Sequence, residues 1–274
     1  MADITVRKMT FDWPEELELL PIPSDLIRSC ELIGISLTLP YLEPYLIRTI
    51  RMAAKETRDD TLRADLKNFS SQEAHHHRNH SQVNALIKSK LSPQVVDAVE
   101  RTEAALSSEY HEFSEEQSLK FNLAYGEGFE AMTLGLALML FEEGFDHYDP
   151  AWAGLVEWHL AEEVEHRTVT FDAYDKIFGS YPYRLRTGTW AQNHYLSYAF
   201  RFAYIVWQEV SDDPNRHDPE HNPWGSKRKI LSAHWKSGLV QRVLKATPPW
   251  YDPKKIEMPA SVSAALAKYD ALAA

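Results

Sequence analysis

Two glutamates and a histidine recur along this chain with almost the same spacing. In each half, a single glutamate is followed, after 30 residues in one case and 33 in the other, by a Glu-x-x-His motif. The members are Glu43, Glu73 and His76 in the first half and Glu130, Glu163 and His166 in the second. Such an interval is about what two antiparallel helices and a turn require. Two hairpins that each present Glu plus Glu-x-x-His inward supply the ligands of a carboxylate-bridged di-iron or di-manganese centre in a four-helix bundle.

The helical phase of the surrounding polar residues supports this interpretation. Residues three, four and seven apart lie on one face of a helix. One such stripe contains Glu73, His76, His80 and Asn84, and the other contains His159, Glu163 and His166. Two polar stripes facing the core of a bundle would be costly unless their groups were paired or bound to metal. Fe(II) and Mn(II) both accept this mixture of carboxylate and imidazole.

Three neighbouring residues leave alternatives open. Glu127 lies one turn before Glu130 and could replace it as a ligand. His80 could bind metal, orient a ligand or relay a proton, although a histidine beside a charged cluster is more often a hydrogen-bonded support. His159 is equally open between a direct ligand and such a support. Glu162 and Glu165 lie off the stripe and are expected to be surface charges or supports of the ligands.

The elements that must position these residues are predicted to be helices. Gly is scarce, and no alternating Val/Ile/Thr segments bounded by turn pairs indicate strands. We therefore predict an all-α, ferritin-like four-helix bundle with additional C-terminal helices, in one domain over 1–274. An irregular arm and a short helix that Ser24 caps fill 1–40, the metal-binding bundle 41–178, and an aromatic helix with a C-terminal cover 179–274. The predicted helices are 24–37, 41–57, 60–90, 93–113, 115–143, 150–178, 183–210, 226–246 and 261–273.

Composition limits the class of partner and the compartment. The formal net charge of −11 argues against nucleic acid, which calls for a basic stripe. Cys30 is the only cysteine, so no intrachain disulfide is expected, which favours a reducing compartment, with the cytoplasm as the default. The N-terminus lacks the apolar core of a signal peptide. The longest apolar run, 131–141, is shorter than the roughly 20 residues of a transmembrane helix.

The residues around the motifs resemble a known family. Two blocks, Gln72-Glu73-Ala74-x-His76-x3-His80-x3-Asn84 and Trp158-His159-x2-Glu162-Glu163-x-Glu165-His166-x4-Phe171-Asp172-x-Tyr174, are similar to the signatures of the bacterial predicted metal-dependent hydrolases. Weaker blocks, Leu39-Pro40-x2-Glu43 with Arg51 and Glu130-x2-Thr133, agree with them. The resemblance implies a metal site and favours Glu130 over Glu127. The family's Glu-His-x-Thr block has Ala131 in place of its histidine here.

The function expected from this donor set is oxygen chemistry. His159, Glu163 and His166 on one helix face are similar to the arrangement in p-aminobenzoate N-oxygenase-type di-iron enzymes. Our leading hypothesis is a non-haem di-iron oxygenase or oxidase with two Fe ions, Mn being possible, acting with O₂ and an electron donor on a small apolar or aromatic molecule. The alternatives are a two-metal hydrolase and a non-catalytic iron-binding bundle. A homodimer is a further possibility.

Overall fold

Helices make up all of the regular structure in the computed structural model, which describes residues 4–14 and 16–273. Ten α-helices are present in these ranges, with two short 3₁₀ turns and no strand. The all-α prediction is confirmed. Residues 1–3 and 15 of the predicted arm lie outside the described residues. The helices are α1 Leu26–Glu56, α2 Asp60–Ser89, α3 Pro93–Glu116, α4 Leu119–Glu143, α5 Pro150–Glu165, α6 Val169–Ile177, α7 Tyr181–Val210, α8 Lys227–Lys236, α9 Leu239–Leu244 and α10 Ala260–Ala273.

Four helices surround the site. α1 packs on α2 across a three-residue turn, α4 packs on α5, and α3 connects the two pairs. Helix α7 lies along α1 and α4 and buries a row of aromatic and aliphatic side chains. It comes so close to α4 that a Cβ on Gly128 would lie 2.3 Å from the Cα of Gly188. Small residues at this crossing allow the two helices to meet backbone to backbone.

The predicted break between two helices at Pro40 is wrong, because α1 runs through both Pro40 and Pro44. The N-cap is Asp25 rather than Ser24, and its carboxylate accepts a hydrogen bond from the Arg28 N–H. A proline inside a helix removes the N–H that would bond to the carbonyl four residues earlier. For Pro40 that carbonyl is Ser36 O, which instead accepts a hydrogen bond of 2.7 Å from Asn84 Nδ2. Asn84 thus compensates for Pro40, which lets the helix continue.

A second departure from prediction occurs at His166. The expected single helix 150–178 is two, because α5 ends at Glu165 and α6 begins at Val169. The Arg167 guanidinium donates to the Val164 carbonyl at 2.7 Å, and this bond satisfies one of the acceptors at the helix end. The periodic apolar pattern continues through the break, so the sequence pattern does not reveal it. The break places His166 at the C-cap of α5, where its backbone is not helical.

The segments at both ends of the chain cover the bundle. In the arm before α1, Ile4, Met9 and Leu17 are buried in the main core. The predicted helix 226–246 is instead divided into α8 and α9 by Gly238, whose φ of 83° is in the left-handed region. In the described part of the chain, no helix has the length and apolarity that crossing a membrane requires.

Candidate metal centre

Seven side chains converge on one buried region between α1, α2, α4 and α5. Three overlapping groups each bring their potential ligand atoms within 4.8 Å of one another. They are Glu43 with His76 and His159, Glu73 with Glu130 and His166, and Glu73 with His76 and Glu163. The structure therefore brings together the seven residues of the predicted ligand set, which has Glu130 rather than Glu127 on α4. All seven are buried, and His159 is the most exposed, at 8%.

Several polar atoms in this region have no hydrogen-bond partner within the described protein. Both carboxylate oxygens of Glu43 are unpaired, as are Glu73 Oε1, Glu130 Oε1 and His76 Nδ1. A buried polar atom without a partner costs about 1–3 kcal/mol, and more when it is charged. Their concentration in one place fits a group that accepts lone pairs, and a divalent cation is such a group.

The hydrogen bonds around His159 fix which ring nitrogen faces the centre. The Ser36 hydroxyl donates to Asn84 Oδ1 at 2.6 Å, so its oxygen accepts from His80 Nδ1 at 2.8 Å. The other nitrogen of neutral His80, Nε2, then accepts from His159 Nδ1 at 2.7 Å. His159 Nε2 is left with a lone pair that points at Glu163 Oε1, 2.8 Å away. Two lone pairs at this distance repel unless a cation or a proton lies between them.

The same arrangement recurs at His76. Its Nε2 lies 3.0 Å from Glu162 Oε2, and Glu162 also accepts from Arg7 Nη1 at 3.3 Å. Because Glu162 accepts from Arg7, we assign it as the acceptor here too, so the His76 N–H donates to this carboxylate. The inner nitrogen, Nδ1, then faces Glu163 Oε1 at 3.6 Å and Glu73 Oε1 at 3.7 Å.

At His166 the outer partner is an amide. Gln72 donates through Nε2 to Glu165 Oε2 and to the Thr5 carbonyl, so its Oε1 accepts from His166 Nδ1 at 3.0 Å. The inner nitrogen of His166 lies 3.1 Å from Glu163 Oε2 and 3.3 Å from Glu130 Oε2. All three imidazoles therefore direct a lone pair inward and hold an N–H outward, the arrangement that orients histidines at metal sites.

Arg7 connects two of these supports. Its Nη atoms bind Glu165 at 2.9 and 3.0 Å, and it is 2% exposed. Its Nε lies 2.9 Å from Asp270 of α10. The sequence did not indicate Arg7, which lies far from either motif. Glu162 and Glu165 are buried supports, at 0% and 8% exposure, so the expectation that they are surface charges is wrong while the alternative of a supporting role fits.

Burial and neighbouring charges raise the pKa values of four side chains at this centre. Burial and the charge of Glu73 raise the pKa of Glu43 well above its ordinary value, and burial and the charge of Glu163 do the same for Glu130. Although burial opposes it, contacts with Glu162 and Glu73 raise the pKa of His76, and the charge of Glu163 raises that of His166. Without a metal the centre thus retains protons. A bound cation would replace them.

The net pKa shift has the opposite direction at His80 and His159. Burial and the nearby His159 lower the pKa of His80 well below its ordinary value. Burial and the nearby His76 likewise lower the pKa of His159. Both rings are neutral near pH 7, which agrees with the chain of hydrogen bonds from Ser36 to Glu163.

Glu127 does not face the centre. Its Oε1 accepts from Arg184 Nη1 at 2.5 Å, and both side chains are buried. The aromatic rings of Phe171, Tyr181 and Tyr251 lie against the same guanidinium. The structure thus separates the two candidates on α4, with Glu130 in the cluster and Glu127 in an ion pair.

The chain belongs to a family of known description. The sequence model of the family described as "Predicted metal-dependent hydrolase" matches residues 5–257, which is most of the chain. This result confirms the resemblance inferred from the motifs. Searches of curated proteins and of solved structures gave no match. The family description supports the hydrolase alternative, whereas the expectation of an oxygenase or oxidase gains no support from it.

Proposed function

We propose that this chain is a hydrolase that uses two divalent metal ions bound between α1, α2, α4 and α5 in a ferritin-like arrangement. The observation that carries the proposal is the common orientation of three imidazoles, each with its N–H held from outside and its lone pair directed at buried carboxylates. The family description supports hydrolysis as the class of reaction.

The donor set fits two ions better than one. One ion would be held by Glu43, His76 and His159, and the other by Glu73, Glu130 and His166, as these groups cluster in the structure. Glu163 lies between these two groups of residues, with Oε1 near His159 and Oε2 near His166. Carboxylate-rich sites of this kind accept Mn²⁺ and Fe²⁺, and the imidazoles also suit Zn²⁺.

Residues of the chain would have separate roles in hydrolysis. Metal ions bound here would act as Lewis acids that activate water and polarise the substrate. Glu43 has no protein donor on either oxygen, so one oxygen could hold an ion while the other accepts a proton from the attacking water. His80 and Ser36 keep His159 in one tautomer, and the buried walls keep bulk water away. The substrate would be a small molecule with an ester, amide or phosphoester bond.

The proposal is tested by loading the purified chain with Mn²⁺, Zn²⁺ or Fe²⁺ under anaerobic conditions and measuring hydrolysis of an ester, amide and phosphoester panel. We expect up to two metals per chain and hydrolysis without O₂. Glu130→Gln should lose metal and activity. Glu142→Gln, an exposed position on the same helix, should retain both.

Oxygen chemistry and simple iron binding are the competing outcomes. If the Fe²⁺ protein consumes O₂ and hydrolyses nothing in any metal form, the hydrolase proposal is wrong and the di-iron oxidase hypothesis replaces it. If the protein binds two metals and neither hydrolyses substrates nor reacts with O₂, a non-catalytic iron-binding bundle is the better description.

A further inference from the structure

The segment 227–251 differs in charge from the rest of the chain. It contains six Lys and Arg residues and no Asp or Glu, in a protein whose formal net charge is −11. The segment comprises α8, α9 and the turn that follows them. Such a concentration of one sign on an acidic protein indicates a partner of negative charge.

Helix α8 carries apolar side chains on its outer side as well as on its inner side. Ile230 packs against the core, and the His234 ring stacks on Phe200. On the outer side, Leu231 and Trp235 lie one turn apart and are 57% and 53% exposed. More than half of each of these two apolar side chains is therefore left open to a partner.

Two further large apolar side chains of segment 227–251 are exposed. Leu244 is 49% exposed and Trp250 is 76% exposed, the largest exposure among the big apolar side chains of the described residues. In the same segment, the described residues offer no ion pair to Lys227, Arg228, Lys236 or Lys245. Only Arg242 has such a partner, Glu142. A segment that combines exposed tryptophans with unpaired cations is typical of a surface that meets the headgroups of a bilayer.

We propose that segment 227–251 docks the protein on an anionic lipid bilayer. Leu231, Trp235 and Trp250 would enter the interfacial layer while the lysines and arginines contact lipid phosphates. Charge favours this occupant over a second copy of the chain placed across a two-fold axis, because such a dimer would bring two identical basic surfaces together. The inference is independent of the chemistry at the metal centre.

Co-sedimentation of the full chain with vesicles tests the docking. We expect binding to vesicles of equimolar phosphatidylcholine and phosphatidylglycerol, weaker binding at high salt, and little binding to phosphatidylcholine alone. Leu231→Ser/Trp235→Ser and Lys227→Glu/Arg228→Glu should each lower the partition coefficient at least about tenfold.

Matched variants separate docking from general charge or hydrophobicity. Leu272→Ser removes another leucine that is exposed, at 64%, and Lys55→Glu/Lys67→Glu reverses two exposed lysines elsewhere. Both should bind anionic vesicles like the wild type. The proposal is overturned if the wild type stays in the supernatant with anionic vesicles or binds both compositions equally. It is also overturned if the control variants lose as much binding as the α8 variants. A dimer that Leu231→Ser/Trp235→Ser dissociates, without vesicle binding, would assign the surface to a second copy instead.

Discussion

His80 Nε2 lies 2.7 Å from His159 Nδ1, and this contact determines which nitrogen of His159 faces the metal centre. His80 is itself held by the Ser36 hydroxyl. A residue of α1 thus orients a histidine of α2, which in turn orients His159 of α5. A residue that acts in this way positions a ligand without contacting the metal. Such supports typically change metal affinity by 10–100-fold when they are removed.

We therefore expect His80→Ala to weaken binding of the ion held by His159 by about 10–100-fold and to leave the second ion bound. His75→Asn, on the same helix, is the control, because His75 is half-buried and contacts Arg78 rather than the centre. Competition with a chelator of known affinity measures both ions. Equal affinities in His80→Ala and wild type would show that His80 does not position His159.

Arg7→Met should destabilise the fold as well as the site. The change leaves Glu162 and Glu165 buried with their main cationic partner gone, which typically costs about 3–5 kcal/mol. It also releases the supports of His76 and His166, so metal affinity should fall. Urea unfolding with and without metal measures the two effects. The control, Arg28→Met, breaks the half-buried pair with Glu143 and should cost no more than about 1 kcal/mol.

Glu127 and Glu130 should give opposite results when each is changed to Gln. Glu130→Gln removes a ligand and also a carboxylate whose pKa burial has raised, so it should lose metal while the metal-free protein becomes no less stable. Glu127→Gln leaves Arg184 buried without its anion, so the protein should keep its metal and lose about 3–5 kcal/mol of stability. Metal content and urea unfolding distinguish the two. Loss of metal in Glu127→Gln would contradict the separation of these residues on α4.

The stability of the metal-free protein should fall as pH rises above about 7.5. In that range His80 and His159, with lowered pKa values, are neutral in both folded and unfolded chains and contribute nothing further. Glu43, Glu130, His76 and His166 have raised pKa values, so the folded chain holds protons that the unfolded chain has released. Their favourable contribution is lost as pH rises through the folded-state values.

Thermal unfolding between about pH 7.5 and 9 measures this slope. Metal replaces the protons, so the loaded protein should show a smaller fall in Tm over the same range. Glu43→Gln/Glu130→Gln should flatten the slope of the metal-free protein. A Tm of the metal-free wild type that rises with pH would contradict the directions of these pKa shifts.

The local sequence pattern predicted much of this site. The parts that it missed depend on contacts between residues far apart in the sequence. Helical phase placed Glu73 with His76 and His159 with Glu163 because residues on one helix face remain neighbours in any fold. It could not find Arg7, whose carboxylate partner Glu162 lies 155 residues away, since no local period relates the two. The burial of Glu162 was missed for the same reason, because its partners Arg7 and His76 lie far away in the sequence.

At Pro40 the local pattern predicted a helix end that does not exist. Proline often marks a helix boundary, yet here the carbonyl that Pro40 leaves free bonds to Asn84, a residue of the neighbouring helix. The Asn84 amide oxygen also accepts a hydrogen bond from Ser36 Oγ. Pro40 therefore helps to fix the chain of hydrogen bonds that runs from Asn84 through Ser36 and His80 to His159. The role of Pro40 in the site depends on that contact, which the sequence alone does not reveal.

Pro40→Ala tests whether the interruption serves the centre. Alanine restores an N–H that competes with Asn84 Nδ2 for the Ser36 carbonyl. Asn84 then loses the bond that fixes its amide, and the hydrogen bonds from Ser36 through His80 to His159 become less well ordered. We expect weaker binding of the ion held by His159 with unchanged or higher stability, because alanine favours the helix interior. Pro44→Ala is the control. The N–H that it restores would bond to the Pro40 carbonyl, which contacts His77 and is not part of the hydrogen bonds that join Ser36, His80 and His159. Chelator competition and urea unfolding report the two quantities, and equal metal affinity in both variants would show that the proline has only a structural role.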